Sequence, residues 1–181
     1  MRLRRVVPRV NLQFNDFELF GLKQQFAQER AAIDARWKEL QREAHPDKFV
    51  GHGASAQRVA MQWSVRINEA YQRLKDPLKR AAYLCEVGGA PINAHSNTAM
   101  PAAFLMQQIE WREAMDQAKS VDELETLTSE VDAAKTQLLQ QCGDELDVQQ
   151  NPPQAVALVR ALMFLDKFSK DLNQRFEALE S

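Results

Sequence analysis

The chain has 181 residues, and its 45% apolar content with only 6 Gly and 7 Pro favours long helices in one large domain or two small ones. No apolar run approaches the roughly 18 residues of a membrane span, and no secretory segment is visible, so we expect neither membrane insertion nor export. The net charge of −2 is unevenly distributed, because residues 1–86 carry +6 and residues 87–181 carry −8, which predicts different partners for the two halves.

The first predicted elements are an arginine-rich extension and a short helix. Residues 1–13 contain four arginines and no acidic residue, and we interpret them as a tail before the folded chain. Asn15 or Asp16 can cap a helix, because a side-chain oxygen there accepts a hydrogen bond from a free backbone N–H. Gly21 can end it in the left-handed conformation. The stretch NDFELFGL is therefore predicted to be a short helix with two phenylalanines facing a core.

Two long amphipathic helices follow, separated by a loop. The first has apolar residues spaced three or four apart: Ile33, Trp37, Leu40 and Ala44. Pro46 disfavours helical geometry at His45, so this helix should end there. Residues 45–55 are then predicted to form a loop with two glycines. Lys38 and Arg42 lie off the apolar stripe, one turn apart, and by themselves indicate only a solvated helix face.

The second long helix covers SAQRVAMQWSVRINEAYQRLKD. Its apolar side is formed by Ala60, Trp63, Ile67, Ala70 and Leu74. Asp76 can cap a fourth helix that begins at Pro77, since proline is favoured at the first helical position. The stretch GGAPINAHSN then combines Gly, Pro, Asn and Ser without periodicity, so it is the best candidate for a domain boundary.

Three further helices are predicted over about 100–118, 121–149 and 153–179. Their core sides are apolar: Phe104, Trp111, Met115 and Ala118 on the first, Leu124, Leu127, Val131, Leu138 and Cys142 on the second, and Leu158, Leu162, Leu165, Leu172, Phe176 and Leu179 on the third. Gly143 weakens the middle helix locally. Short connections favour a small antiparallel bundle, so the whole chain is expected to be all-α.

Two groups of apolar residues fall outside these core sides. Leu105, Met106 and Ile109 lie toward the opposite side of the first of these three helices. Met163 and Phe164 lie off the leucine stripe of the last. Because a three-helix bundle has one core, these residues either pack on the first half of the chain or form an exposed apolar patch.

The tripeptide His45-Pro46-Asp47 is compatible with several kinds of site. A histidine beside a carboxylate can act as a general base, but no nucleophile or phosphate-binding motif accompanies it. His45, Asp47 and His52 could converge on a metal ion, although such a site needs three or four ligands with a second shell. Turn chemistry alone would also explain Pro and Asp at a helix end. The two cysteines have no CxxC spacing and are expected to be reduced thiols.

The order of four helices, with this tripeptide between the two long ones, resembles the J-domain of DnaJ-type co-chaperones. The matching stretches are HPDKF and INEAYQRLKDPLKRAAYL. In that family the tripeptide stimulates ATP hydrolysis by a DnaK-type chaperone. The resemblance thus implies chaperone contact by Lys38, Arg42, His45, Pro46, Asp47 and Lys48. Asp47 would be an anionic acceptor for an arginine, Pro46 would stiffen the loop, and the basic helix face would steer an acidic surface.

Four motifs in order, FELFGL, HPDKF, FLMQQIEWRE and MFLDKF, narrow the resemblance to the HscB family, the J-type co-chaperones of iron–sulfur cluster biogenesis. The resemblance covers about residues 14–179. It implies a J-domain over 14–87, a linker over 88–99 and a three-helix scaffold-binding domain over 100–181. The arginine-rich extension and the absence of the usual proline in GLKQQF depart from the family pattern. The cysteine zinc module of eukaryotic members is absent, which favours a bacterial-type protein.

The resemblance implies two partners, an HscA/DnaK-type ATPase chaperone and an IscU-type scaffold, and a role in the maturation of iron–sulfur proteins. The implied scaffold-binding residues are Leu105, Met106, Ile109 and Phe164, with Glu110 and Glu113 at the rim. No catalytic residue, resident metal or cofactor is expected, and the location is expected to be cytoplasmic. Nucleic acid is not an expected partner, because the basic half interleaves its charges with acidic residues. The alternatives are a J-protein with another client and a helical hydrolase that uses His45 and Asp47.

Overall fold

The computed structural model describes residues 13–93 and 100–180, and this part of the chain is helical without a β-strand, which confirms the predicted all-α class. Its elements are α1 (Asp16–Phe20), α2 (Arg30–Ala44), a 3₁₀ segment (Pro46–His52), α3 (Ala54–Lys75), α4 (Pro77–Val87), α5 (Ala102–Gln117), α6 (Val121–Gly143), a π segment (Asp144–Val148) and α7 (Pro152–Glu180). The chain divides into two units, Met1–Arg80 and Ala81–Ser181, and the division falls within α4.

The short helix α1 is closed at both ends by local hydrogen bonds. The Asn15 side chain accepts a hydrogen bond from Glu18 N at 2.9 Å, and the Glu18 carboxylate accepts one from Asn15 N at 2.8 Å. Gly21 ends the helix with a left-handed φ of 62°. Both predicted ends are confirmed, with Asn15 rather than Asp16 as the cap.

Asp16 is fully buried and joins α1 to α3. Its carboxylate lies 2.7 Å from Arg66 Nη2 and accepts hydrogen bonds from Arg73 Nε at 2.5 Å and Arg73 Nη2 at 3.0 Å. Arg66 also donates to the carbonyl oxygen of Phe14 at 3.1 Å. The two arginines therefore fix the start of the described chain on α3, and removal of the carboxylate would take away a buried counter-charge that both of them contact.

The helices α2 and α3 pack side by side in antiparallel directions. Trp37 on α2 stacks on Tyr71 of α3, whereas Gln41, one turn later on α2, bonds Ser64, which comes earlier on α3. The buried residues of the predicted stripes are Ile33, Leu40, Ala44, Ala60, Trp63, Ile67, Ala70 and Leu74. The predicted apolar faces are confirmed, except that Trp37 is only half-buried, at the edge of the core.

The connection from α2 to α3 is more regular than predicted. His45 has an extended backbone, with φ −62° and ψ 125°, because the ring of Pro46 excludes helical geometry at the preceding residue. The prediction of a loop over 45–55 is wrong in part, since the 3₁₀ segment fills most of it and α3 begins at Ala54. Pro46 again supplies the reason: its fixed φ suits the first position of a new helical turn.

The second unit has three long helices that share an apolar core. Phe104 on α5 contacts Phe164 on α7, and Trp111 on α5 stacks on Phe168 of α7, so α5 and α7 run parallel. Only three residues separate α5 from α6, and α6 therefore runs antiparallel to both. The buried residues of this core are Trp111, Ala118, Leu124, Leu127, Val131, Leu165, Phe168 and Leu172. This arrangement is the predicted small bundle.

The helix predicted over 121–149 changes its hydrogen-bonding pattern after Gly143. α6 is α-helical up to that residue, and the π segment follows it. The wider turn is visible at its end, where Gln149 N donates to Asp144 O, five residues back, at 2.9 Å. Glycine has a low helix propensity, so the regular helix is weakest at the point where the pattern changes.

The first residues of the predicted linker pack against α7. A Cβ atom at Gly88 would lie 2.6 Å from Pro152 Cγ, so no side chain fits there without a shift. Ile92 is buried, and its carbonyl oxygen accepts hydrogen bonds from Arg160 Nε at 2.8 Å and Nη2 at 2.6 Å. Residues 94–99 and most of the arginine-rich extension lie outside the described residues. The predicted domain limits therefore stay a prediction.

Candidate docking surfaces

The end of α2 presents a histidine and a carboxylate side by side to solvent. His45 Nδ1 accepts a hydrogen bond from Asp47 N at 3.3 Å and lies 3.6 Å from Asp47 Oδ2. The two side chains are 57% and 85% exposed. When Nδ1 accepts this hydrogen bond, the proton of the neutral ring is on Nε2. We call the group His45, Pro46 and Asp47 the polar corner.

Phe49 anchors the polar corner to the core of the first unit. Its side chain is buried, and its ring centroid lies 6.0 Å from that of His52. Pro46 fixes its own φ angle. Little backbone freedom is then left for a partner to remove, which lowers the entropic cost of docking. Phe49 was not among the predicted contact residues, although an apolar residue in a polar loop is a signal for such an anchor.

Basic side chains lie on α2 beside the polar corner. Lys38 and Arg42 are exposed, and Arg42 Nε donates to the carbonyl oxygen of Lys38 at 3.3 Å. Because residues three or four apart share one side of a helix, Lys38, Arg42 and His45 follow one another along the same face. Lys48 is exposed at the start of the 3₁₀ segment. The predicted chaperone-binding residues on α2 therefore share one side of the helix.

An apolar surface lies on α5 and is formed by Leu105, Met106 and Ile109, which we call the α5 patch. The three residues are 44%, 59% and 53% exposed, whereas Trp111 on the other side of the helix is buried in the core. The predicted division of α5 into a core side and an outer side is confirmed. Large apolar side chains grouped on one exposed face are typical of a protein–protein contact.

Phe164 lies at the edge of the core, which corrects the prediction that it falls outside it. Its ring packs edge-on against Phe104 at 6.0 Å and stacks on Phe168 at 6.1 Å, and the guanidinium of Arg112 lies 5.6 Å from its centroid. The leucine stripe predicts a narrow core, but a phenylalanine ring beside the stripe is long enough to reach α5. Met163, next to it, is 37% exposed and fits the prediction.

Charged side chains border the α5 patch. Glu110 and Glu113 are exposed on α5, and Glu110 Oε2 accepts a hydrogen bond from Gln107 Nε2 at 3.2 Å. Arg112 extends toward α7, where its Nη2 lies 3.9 Å from Asp171 Oδ2. The two predicted rim residues are therefore available to a partner, and their negative charge suits a basic one.

Two common kinds of reactive group, a metal cluster and an activated thiol, are not found among the described residues. Within residues 13–93 and 100–180, no group of three or more His, Cys, Asp or Glu side chains could hold a metal ion. Burial raises the pKa of Cys85 to about 11 and that of Cys142 to about 12, so neither thiol is a nucleophile at neutral pH. In the same residues, no helix combines the length and apolar character needed to cross a membrane.

Comparison with known proteins places the chain in a family. A family profile described as the HSCB C-terminal oligomerisation domain matches residues 100–173. The co-chaperone protein HscB homolog of Burkholderia multivorans is 43% identical over 175 residues, which cover 95% of this chain and 99% of the relative. The homolog of Burkholderia thailandensis is 44% identical over 174 residues, or 94% and 99% of the two chains. The chain belongs to the HscB family of co-chaperones.

Solved HscB structures share its fold. Chaperone HscB from Vibrio cholerae superposes with a TM-score of 0.84 at 33% identity, over 91% of this chain and 99% of that one. The human co-chaperone protein HscB gives a TM-score of 0.87 over 97% and 92% of the two chains, and at 21% identity this shows likeness of fold alone. The predicted HscB family is confirmed, and the polar corner and the α5 patch are two exposed surfaces of a co-chaperone.

Proposed function

We propose that this protein stimulates the ATPase of an HscA/DnaK-type chaperone and delivers an IscU-type iron–sulfur cluster scaffold to it, so that iron–sulfur proteins mature. The observation that supports this most is that an HscB-family chain exposes two surfaces of opposite chemistry, one in each unit: the polar corner and the α5 patch. In this proposal the protein is a cytoplasmic adaptor without enzymatic activity or a cofactor of its own, and the cluster belongs to the scaffold.

The polar corner is the proposed chaperone contact. The Asp47 carboxylate is almost fully exposed and can accept hydrogen bonds from an arginine of the chaperone. A hydrogen bond to a charged group contributes about 1.5–3 kcal/mol. Lys38, Arg42 and Lys48 add positive charge around it, which would speed encounter with an acidic ATPase surface. The proposed J-domain, residues 14–87, carries this function.

The α5 patch is the proposed scaffold contact. Its three side chains are about half exposed, and their burial against a partner would remove apolar surface from water at about 25 cal/mol per Å². Phe164 would extend the contact from the edge of the core, and Glu110 with Glu113 would meet basic groups at the rim. The proposed scaffold-binding domain, residues 100–181, carries this function and is joined to the J-domain by the proposed linker, residues 88–99.

The proposal is tested by steady-state ATP hydrolysis of a purified HscA-type chaperone. The protein should stimulate hydrolysis in a saturable way, and the scaffold should increase the stimulation further, because the scaffold is the client that the protein delivers to the chaperone. Stimulation without any binding of the scaffold would identify a J-protein with another client. ATP hydrolysis, or ester hydrolysis, by the protein alone would support the helical hydrolase instead.

A further inference from the structure

A chain of polar contacts crosses from α2 to α3 outside their apolar core. Asn68 Oδ1 accepts two hydrogen bonds from α2, one from Trp37 Nε1 at 2.9 Å and one from Gln41 Nε2 at 2.7 Å. Ser64 Oγ donates to Gln41 Oε1 at 2.9 Å, and Gln41 Nε2 also donates to the carbonyl oxygen of Ser64 at 3.3 Å. We call Trp37, Gln41, Ser64 and Asn68 the polar seam.

Aromatic and charged contacts continue the polar seam toward the start of α2. Trp37 stacks on Tyr71, with ring centroids 4.8 Å apart and an interplanar angle of 20°. The Tyr71 hydroxyl donates to Asp34 Oδ1 at 2.9 Å, and Arg30 Nε donates to the same carboxylate at 2.8 Å. Hydrogen bonds, chiefly from Arg30 and also from Tyr71, hold the pKa of the Asp34 carboxyl below its ordinary value. The indole of Trp37 is thus held by the Tyr71 ring stacked on its face and by a hydrogen bond to Asn68 at its edge.

The hydrogen bonds of the polar seam can restrict the rotation of α2 about its own axis, which the apolar core does not. Ile33, Leu40 and Ala44 hold α2 on α3, but apolar contacts have no preferred direction and tolerate rotation of a helix about its axis. Hydrogen bonds weaken steeply as their angle departs from linearity. The Gln41 amide is bonded through both its oxygen and its nitrogen, so its position along α3 is defined in two directions.

The polar seam lies next to the proposed chaperone-binding face. Gln41 is three residues after Lys38 and four before His45, and residues at these spacings share one side of a helix. A rotation of α2 that lengthened the bonds of Gln41 would therefore turn Lys38 and His45 by the same angle.

We propose that Asn68 is a positioning residue for chaperone docking: by accepting hydrogen bonds from Trp37 and Gln41 it fixes the rotation of α2, and with it the orientation of Lys38 and His45. This inference rests on the proposed function of the polar corner. Asn68 itself is exposed on α3 and belongs to none of the predicted contact residues. Its contribution is pre-organisation, which lowers the ordering cost that a partner meets on binding.

The test compares three full-length variants in the ATPase titration of the HscA-type chaperone. Asn68→Leu removes the shared acceptor, whereas Asn68→Asp keeps an oxygen for both donors. Gln72→Leu is the matched control, because it exchanges an exposed amide for leucine one turn further along α3, outside the polar seam. Each variant is also characterised by its thermal midpoint and by the indole N–H resonance of Trp37, which should move when its hydrogen bond to Asn68 is lost.

For Asn68→Leu we expect the half-saturating concentration of this protein to rise by roughly three- to tenfold, since only part of the energy of the two lost hydrogen bonds affects docking. The maximal stimulation should stay near the wild-type value, because the polar corner is intact. The half-saturating concentrations of Asn68→Asp and Gln72→Leu should both stay within about twofold of the wild-type value. The indole resonance should shift in Asn68→Leu and be unchanged in Gln72→Leu.

Three results would overturn the inference. The first is an unchanged half-saturating concentration for Asn68→Leu together with a shifted indole resonance, since the bond would then be lost without consequence for docking. The second is an Asn68→Asp variant as weak as Asn68→Leu. The third is a wild-type protein that stimulates no chaperone, which would remove the proposed function and this inference with it, whereas the first two leave the proposed function standing.

Discussion

The polar corner and the α5 patch are both exposed, but they are held in place in different ways. The corner consists of charged and polar groups at a helix end, positioned by Pro46, by the buried ring of Phe49 and by a hydrogen bond within the tripeptide. The patch consists of apolar side chains on an uninterrupted helix whose other side fills the core. A polar contact needs directional control of its groups, whereas an apolar contact needs mainly a shape that excludes water.

This difference predicts that single changes act differently at the two surfaces. At the polar corner one residue carries most of the effect, because a hydrogen-bonding group cannot be replaced by its neighbours. At the α5 patch the effect is spread over several side chains of similar chemistry, and each one contributes part of the buried area. The following changes test this contrast, from the largest expected effect to the smallest.

The largest expected effect is that of His45→Gln on chaperone stimulation. The side chain is more than half exposed and lies beyond the core of α2, so the fold should not depend on it. We expect loss of nearly all ATPase stimulation. The free energy of unfolding should change by no more than about 0.5 kcal/mol, as for an ordinary surface substitution. Thermal unfolding followed by circular dichroism checks the stability, and the ATPase titration checks the stimulation. Normal stimulation by the variant would contradict the J-domain assignment.

The next largest effect is that of Leu105→Ala, Met106→Ala and Ile109→Ala together on scaffold binding. The three side chains make no part of the buried core, so truncation should leave no cavity. Each truncation removes part of the apolar area that the partner buries, and at about 1 kcal/mol for each side chain we expect roughly a hundredfold weaker binding from three. Isothermal titration with the scaffold measures this, and Val148→Ala, at an exposed apolar residue of the π segment, is the control.

Replacement of Asp16 by alanine should lower the stability of the first unit and leave the scaffold affinity unchanged. Asp16→Ala removes the buried carboxylate that Arg66 and Arg73 both contact. A fully buried pair would cost about 3–5 kcal/mol to break, and since both arginines are partly exposed we expect about 2–3 kcal/mol. Thermal unfolding and the scaffold titration on the same sample separate the two effects. A fall in scaffold affinity would show that the second unit depends on the first.

Phe164→Ala should reduce both stability and scaffold binding, because this ring belongs to the edge of the core. A fully buried phenylalanine costs about 3–5 kcal/mol when truncated, and for this half-buried ring we expect about half of that. Phe164→Leu should recover most of the stability by filling part of the space. An unfolding midpoint unaffected by Phe164→Ala would mean that its contacts with Phe104 and Phe168 contribute nothing to the fold.

The smallest expected effect is that of salt. Exposed charges are screened over about 10 Å at 0.1 M ionic strength, so chaperone coupling through Asp47 and its basic neighbours should weaken several-fold from low to high salt. Asp47→Asn should weaken the coupling and reduce its dependence on salt. Scaffold binding should change less, because apolar contact dominates it. An equal salt dependence at both surfaces would count against the contrast between them.

The sequence was sufficient for the helices and most of the core, because their signals are local. Asn15, Pro46 and the pair Asp76-Pro77 each mark a helix end through chemistry within a few residues. The 3₁₀ segment was missed because residues 45–55 contain turn-forming residues without periodicity, although Pro46 and the buried Phe49 allow a regular turn there.

Contacts between distant residues were not predictable in the same way. The burial of Asp16 depends on arginines 50 and 57 positions later in the chain, and the polar seam joins Trp37 and Gln41 to residues that follow by 23 to 31 positions. The position of Phe164 depends on Phe104, which a helical wheel of α7 alone does not include. The residues next to each of these positions in the sequence do not indicate its partner, because the packing of the helices brings the two together.

The most direct test of the account is one ATPase experiment with crossed variants. His45→Gln and the triple α5-patch variant are each titrated against the HscA-type chaperone, with and without the scaffold, and scaffold affinity is measured on the same samples. We expect His45→Gln to bind the scaffold with wild-type affinity and to give no stimulation. The patch variant should stimulate as well as wild type when the scaffold is absent and gain nothing when it is added. Loss of both activities in either variant, with its fold intact, would contradict the assignment of the two functions to two separate surfaces.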